Sequence, residues 1–130
     1  MSLLQICVLN PLSKLIDVVT GANVTVLTEG DITETTADIY TVLVTDGTIL
    51  ANGGMLSGAQ DILLPIGPTV PLKKVFTIKN ISTGAVVLEC TDFTTSIDFA
   101  SYTGLTTKGD SISVQWDGTQ YWILSNYLAP

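Results

Sequence analysis

Carboxylates are the side chains best supplied for chemistry in this 130-residue chain: twelve Asp and Glu stand against five lysines, with no arginine and no histidine. The densest group is Glu29, Asp31, Glu34 and Asp38. Two carboxylates across a glycosidic bond can cleave it, but crowding along the chain does not set a separation across a cleft, and the plain reading is a solvated loop. The spaced oxygen-ligand loop of a calcium site is missing. Without histidine, Ser-His-Asp and Cys-His nucleophile systems are excluded, as are the common His-based zinc and iron sites. Cys7 and Cys90 cannot form a four-thiolate site; each sits on an alternating apolar run, which suits a buried free thiol in a reducing compartment. No glycine-rich phosphate loop follows a strand and opens a helix. These residues predict a non-enzyme with no catalytic, metal or cofactor-binding residue and no cofactor.

Aromatic residues are the remaining candidates. Trp116, Tyr121 and Trp122 flank a turn, where they could contact a glycan through their ring faces or serve as core or subunit interface; the structural role is the favoured reading. The basic cluster Lys73-Lys74, with Lys79 beyond it, reads as the solvated margin of a strand. Against a net charge of −7 it predicts no nucleic-acid partner and no attraction to an anionic membrane. Only 13% of residues are charged and mean hydropathy is +0.48, so much of the surface must be Thr, Ser, Gly and apolar area, which favours burial against copies or a partner.

The elements that would position these residues are strands. Phe76 and Ile78 alternate with Thr77 and Lys79; Asn80 to Gly84 supplies a turn; Val86, Leu88 and Cys90 alternate with Val87 and Glu89; Ile97 and Phe99 give a brief third run. Ser111 to Trp116 alternates strictly and Thr119 to Leu124 returns after Asp117-Gly118, a strong hairpin signal. A two-residue loop there leaves Trp122 on the face of Ser113 and Gln115, needing cover from elsewhere. A three-residue loop with a bulge at Gly118 turns Tyr121 outward instead. In the N-terminal half, Leu4 to Val8 and Val24 to Thr28 read as strands, and residues 10–20 as a short helix or a strand. Ile39 to Thr45 forms a predicted hairpin with Thr48 to Ala51 through Asp46-Gly47. Pro65, Pro68 and Pro71 make a rigid connection that would carry the chain between sheets.

Phe76-Thr77-Ile78-Lys79-Asn80-Ile81-Ser82-Thr83-Gly84, then Ile97-Asp98, then Gly109-Asp110-Ser111-Ile112-Ser113-Val114 and Trp116-Asp117-Gly118-Thr119-Gln120-Tyr121-Trp122 resemble a module of tailed-bacteriophage virion proteins, seen in head-decoration or head-fibre proteins and in fibre and spike tips. The resemblance covers the C-terminal half. It implies a structural virion protein on the capsid surface, a homotrimer bound to the major capsid protein lattice; the alternative it carries is a receptor-binding tip or small adhesin recognising host-cell glycans. The missing heptads, collagen-like tract or other shaft favour the head. Met1 to Leu9 is apolar without a basic flank, and no run is long enough to span a bilayer, so synthesis in the host cytoplasm is expected. The predicted fold is all-β, an antiparallel sandwich or jelly-roll-like barrel with at most one short helix. It forms one domain over 1–130: N-terminal strands in 1–64, the proline-rich connection in 65–72, and C-terminal strands with the terminal hairpin in 73–127.

Overall fold

Residues 32–53 and 58–130 are described by the computed structural model, and their alternating stretches become nine strands with no helix among the described residues. The strands are β1 (Ile32–Thr35), β2 (Ile39–Thr41), β3 (Thr48–Ala51), β4 (Ala59–Leu64), β5 (Val75–Asn80), β6 (Ala85–Cys90), β7 (Tyr102–Leu105), β8 (Ser111–Trp116) and β9 (Tyr121–Tyr127). The all-β expectation holds. The predicted segments Leu4 to Val8, 10–20 and Val24 to Thr28, together with Cys7, Glu29 and Asp31, lie outside the described residues.

Pairing is where the structure departs from the antiparallel expectation. The strands sort into a five-stranded sheet, β1-β3-β5-β8-β9, and a four-stranded sheet, β2-β4-β6-β7. Up to β6 the chain changes sheet at every strand, and the strands stack parallel within each sheet. Only β7, β8 and β9 pair antiparallel, on β6, β5 and β8 respectively. The chain therefore winds through two sheets in successive coils and is closed by antiparallel strands on one side. Alternation of apolar and polar side chains is common to both arrangements, so it cannot distinguish them.

Asp46-Gly47 accordingly makes no hairpin. The Asp46 carboxylate accepts the Thr33 hydroxyl (3.0 Å), the Tyr40 hydroxyl (2.7 Å) and the Leu43 amide (2.9 Å), folding the β2–β3 passage into a tight crossing between the sheets. Burial, then the Asp46 bond, pushes the Tyr40 phenol up to about 12. The turn at Asn80 to Gly84 likewise joins the sheets, and Ile97 makes isolated bridges to Ala100 and Tyr121 in place of a third strand.

Inward side chains from both sheets form one core. Ile49, Ile78 and Ile112 stand in register across β3, β5 and β8, while Ile62 lies beside Leu88 across β4 and β6. Each such fully buried aliphatic side chain contributes about 1.5–3 kcal/mol. Two buried amides lock the corners. Gln60 donates to the Thr35 and Ala37 carbonyls and accepts the Gly53 amide. Asn80 donates to the Gly84 and Leu105 carbonyls (2.9 and 2.8 Å) and accepts both the amide and the hydroxyl of Ser82 (2.8 and 3.0 Å).

Candidate interaction surface

Winding gives the molecule two unlike ends. At the corner end lie the β1–β2, β5–β6 and β7–β8 passages and residues 52–53 and 58, tied by Gln60, Asn80 and the Asn80 amide bond to the Asp110 carbonyl. At the loop end lie passages 42–47, 65–74, 91–101 and 117–120. Their adjacency is fixed by bonds from Val42 N to Leu63 O, Thr91 N to Leu64 O, Lys73 N to Trp116 O, Asp98 N to Tyr121 O, and the Tyr121 hydroxyl to Pro65 O.

Large apolar side chains are exposed at this loop end: Leu43, Leu72, Val75, Phe93, Phe99 and Tyr102. Phe99 is 82% exposed and Phe93 56%, and both hold left-handed backbone, with φ of 75° and 59°. Lys73 (68°) and Asp98 (52°) share that conformation, so all four non-glycine residues with positive φ among those described sit at this end. For bulky L-residues such a conformation costs about 1–3 kcal/mol each and survives only where the surroundings impose it. The bonds of Asp98 N to Tyr121 O, Ile97 N to Ala100 O and Phe93 N to Cys90 O supply that constraint. The 91–101 loop is further held by Asp92, whose carboxylate accepts the Thr95 hydroxyl and the Thr95 and Thr94 amides; these bonds, that of the hydroxyl first, hold its carboxyl far below the usual range.

The three aromatic residues singled out by the sequence are divided by the fold. Trp116 (3% exposed) and Tyr121 (0%) are core: their rings pack 4.8 Å apart, and Tyr121 also meets Phe76 at 6.2 Å. Burial corrects the reading of either as a glycan or interface contact, because no ring face reaches the surface. Their strands are joined by neither of the expected loops. Trp116 pairs with Tyr121, leaving four residues between them, because Asp117 Oδ1 accepts the Thr119 and Gln120 amides (2.7 and 2.8 Å) and Asp117 N donates to Gln120 O. An even-numbered loop places side chains on the same faces as a two-residue one, so Tyr121 points inward and Trp122 shares the outer face with Gln115. A bulge opposite Ser113 and Val114 then adds a residue to β9 and shifts its register.

Trp122 is half-buried. Its indole Nε1 donates to Asp117 Oδ2 (2.7 Å), and the edge-to-face ring of Phe99, 5.1 Å away, supplies the cover that the sequence required. Bonds from the Gln120 amide, the Trp122 indole and the Thr119 amide hold the Asp117 carboxyl below the usual range. Sequence reasoning assigned no surface role to Phe93, Leu43 or Leu72. The available signal was that Phe93 and Phe99 fall in a Thr-, Ser- and Asp-rich segment with no sustained alternation.

Of the acidic group, Glu34 accepts the Asn52 side chain (2.8 Å) on the surface and Asp38 is exposed. Among the described residues no three His, Cys, Asp or Glu side chains are grouped as a metal site. Cys90 is buried at the end of β6; burial, then the nearby Asp92 and Glu89 charges, pushes its thiol up to about 12. No helix among the described residues is long and apolar enough to cross a membrane.

These features define an all-β domain whose corner end is locked by buried amides and whose loop end exposes large apolar side chains, two of them on left-handed backbone. No protein-family model and no curated protein matches the chain.

Proposed function

We propose that this chain is a structural virion protein that decorates the assembled head of a tailed bacteriophage, and that its loop end faces the shell. The reading rests on one observation above others: six large apolar side chains are exposed on the loops and strand ends of that end, two of them phenylalanines held in costly left-handed backbone. Monomers seldom leave much large apolar surface in water, and apolar, aromatic surface is what a protein partner covers. The order of the Thr77 to Gly84, Ile97-Asp98, Gly109 to Val114 and Trp116 to Trp122 segments supports the virion context. Decoration requires no chemistry from the acids and places no demand on a cofactor. In this reading the protein assembles as a homotrimer, the form that presents three loop ends together to a capsid lattice.

Adding the purified protein to undecorated heads tests the reading. Saturable binding is expected, with Phe93→Asp and Leu72→Asp variants binding at least tenfold more weakly while keeping the wild-type urea midpoint. Failure of the wild-type protein to saturate head sites overturns the reading, and unimpaired binding by both variants overturns the choice of face. Sedimentation at micromolar concentration tests the trimer: a monodisperse monomer removes it.

A further inference from the structure

The outer face of the five-stranded sheet carries a row of hydroxyls. Thr48, Thr77, Ser113 and Ser125 pair in succession across β3, β5, β8 and β9, so their side chains emerge on one side of the sheet in a single line. At 4.7–4.9 Å between strands the line is about 14 Å long. Thr77 Oγ1 and Ser113 Oγ are bonded to each other (2.9 Å), which leaves lone pairs and a donor on the pair for a ligand.

Two aromatic rings flank the end of this line on β9. Toward the loop end, Trp122 lies opposite Gln115; toward the corner end, Tyr127 lies opposite Ser111. They lie opposite β8 positions four residues apart, about 13 Å at the rise of a strand, the extra β9 residue being taken up by the bulge. Trp122 is fixed by Asp117 and Phe99, and Tyr127 is 54% exposed beneath the Lys79 ammonium, 5.7 Å from its ring centre. Lys79 in turn donates to Gly109 O, so it is held in place. Glu34 and Lys79 are the charges on the strands of this face, and the Asp117 carboxylate, bonded to the Trp122 indole, adds one more at its loop end, so the face carries a small negative balance. The outer face of the four-stranded sheet carries Ile39, Thr41, Leu63, Val87 and Tyr102 with Asp61 and Glu89 and no hydroxyl row, whereas on the five-stranded sheet the row runs beside Leu50 and Val75 and ends on β1 at Ile32.

The geometry points to a binding lane for a neutral oligosaccharide on the five-stranded sheet. Sugar rings present apolar faces that an indole or phenol ring can cover, and hydroxyls that Ser, Thr and Gln side chains can bond in either direction. With two carboxylates against one lysine, the lane disfavours a polyanion and leaves an uncharged chain as its ligand. The lane and the proposed shell contact meet at Phe99, which packs on Trp122, so Thr48, Ser125 and Tyr127 on the lane and Phe93 at the loop end are the residues that separate the two readings.

Affinity electrophoresis of the full chain in gels containing dextran or glucomannan, with chitohexaose titrated against tryptophan fluorescence, tests it. Trp116 is buried, so a change in emission on titration reports Trp122. Saturable binding to at least one of these probes is expected, weakened about tenfold by Trp122→Ala and by Tyr127→Ala, as loss of one ring contact implies. Thr48→Val and Ser125→Val remove lane hydroxyls while leaving the rings and core in place, and are expected to weaken binding with an unchanged urea midpoint. Phe93→Asp, at the loop end, is expected to bind as the wild type does, even where it no longer binds heads. Absence of saturable binding to all three probes, binding indifferent to the lane variants, or retardation by dextran sulfate alone would each overturn the assignment.

Discussion

Replacing Asn80 by alanine removes four hydrogen bonds at once from a side chain with no exposed surface. At about 0.5–1.5 kcal/mol net for each, the loss is about 2–6 kcal/mol, centred near 4. The domain as a whole is expected to be stable by only about 5–15 kcal/mol. The figure is large because the bonds span the two sheets: Asn80 ends β5, Leu105 ends β7, and the Gly84 and Ser82 bonds close the turn between β5 and β6. Equilibrium urea unfolding followed by tryptophan fluorescence measures it. Asn52→Ala, which loses one exposed bond to Glu34, serves as the comparison and is expected to cost less than about 1 kcal/mol. Asn80→Asp preserves shape but turns a carboxylate oxygen toward the Gly84 and Leu105 carbonyls, so near neutral pH it is expected to destabilise at least as much as alanine. An Asn80→Ala loss below about 1 kcal/mol, or a well-tolerated Asn80→Asp, would refute the view that this amide staples the sheets.

Tyr121→Phe deletes the hydroxyl that donates to Pro65 O and leaves the ring in place; a loss of about 1 kcal/mol in the same assay is expected, and no loss would show that bond to be idle. The carboxyls of Asp92, Asp110 and Asp117 are held below the usual range by hydrogen bonds. With folded values below the unfolded value of about 3.9, their contribution is complete above that pH and drains away as pH falls through the folded values. The urea midpoint should therefore fall below about pH 4, less steeply in Asp117→Asn; a midpoint flat into strong acid would contradict this. In a Cys7→Ser background, Cys90 is expected to resist a thiol reagent near pH 8 while folded and to react fully in urea, since burial raises its thiol to about 12. Rapid labelling of the folded protein would place it elsewhere than the core.

The C-terminal strands were legible because their alternation is strict and a half-buried strand can read no other way. Their partners were not. Parallel coils and antiparallel hairpins write the same alternation, and the Asp46-Gly47 signal was overridden once its carboxylate found Thr33, Tyr40 and the Leu43 amide. At Asp117-Gly118 the hairpin was foreseen but its length was not, since the two further residues enter through amide bonds to a side chain. Burial of Trp116 and Tyr121 matched the structural reading and removed two of three surface candidates. The corner amides were overlooked although parity marks them: Asn80 continues the inward positions of Phe76 and Ile78, and Gln60 precedes Ile62 and Leu64 in the same way. A polar side chain on the buried parity signals a bonded corner. The exposure of Phe93 and Phe99 follows from long-range bonds that no local pattern encodes.

Because β9 starts at the 117–120 passage and runs toward the opposite pole, and Ala129 is then tethered by its amide to Asp110 (2.7 Å), a passenger polypeptide joined after Pro130 would leave the molecule on the far side from Phe93 and Phe99. Fusion at that point would give a scaffold whose cargo projects away from the Phe93 and Phe99 pole and leaves it unobstructed.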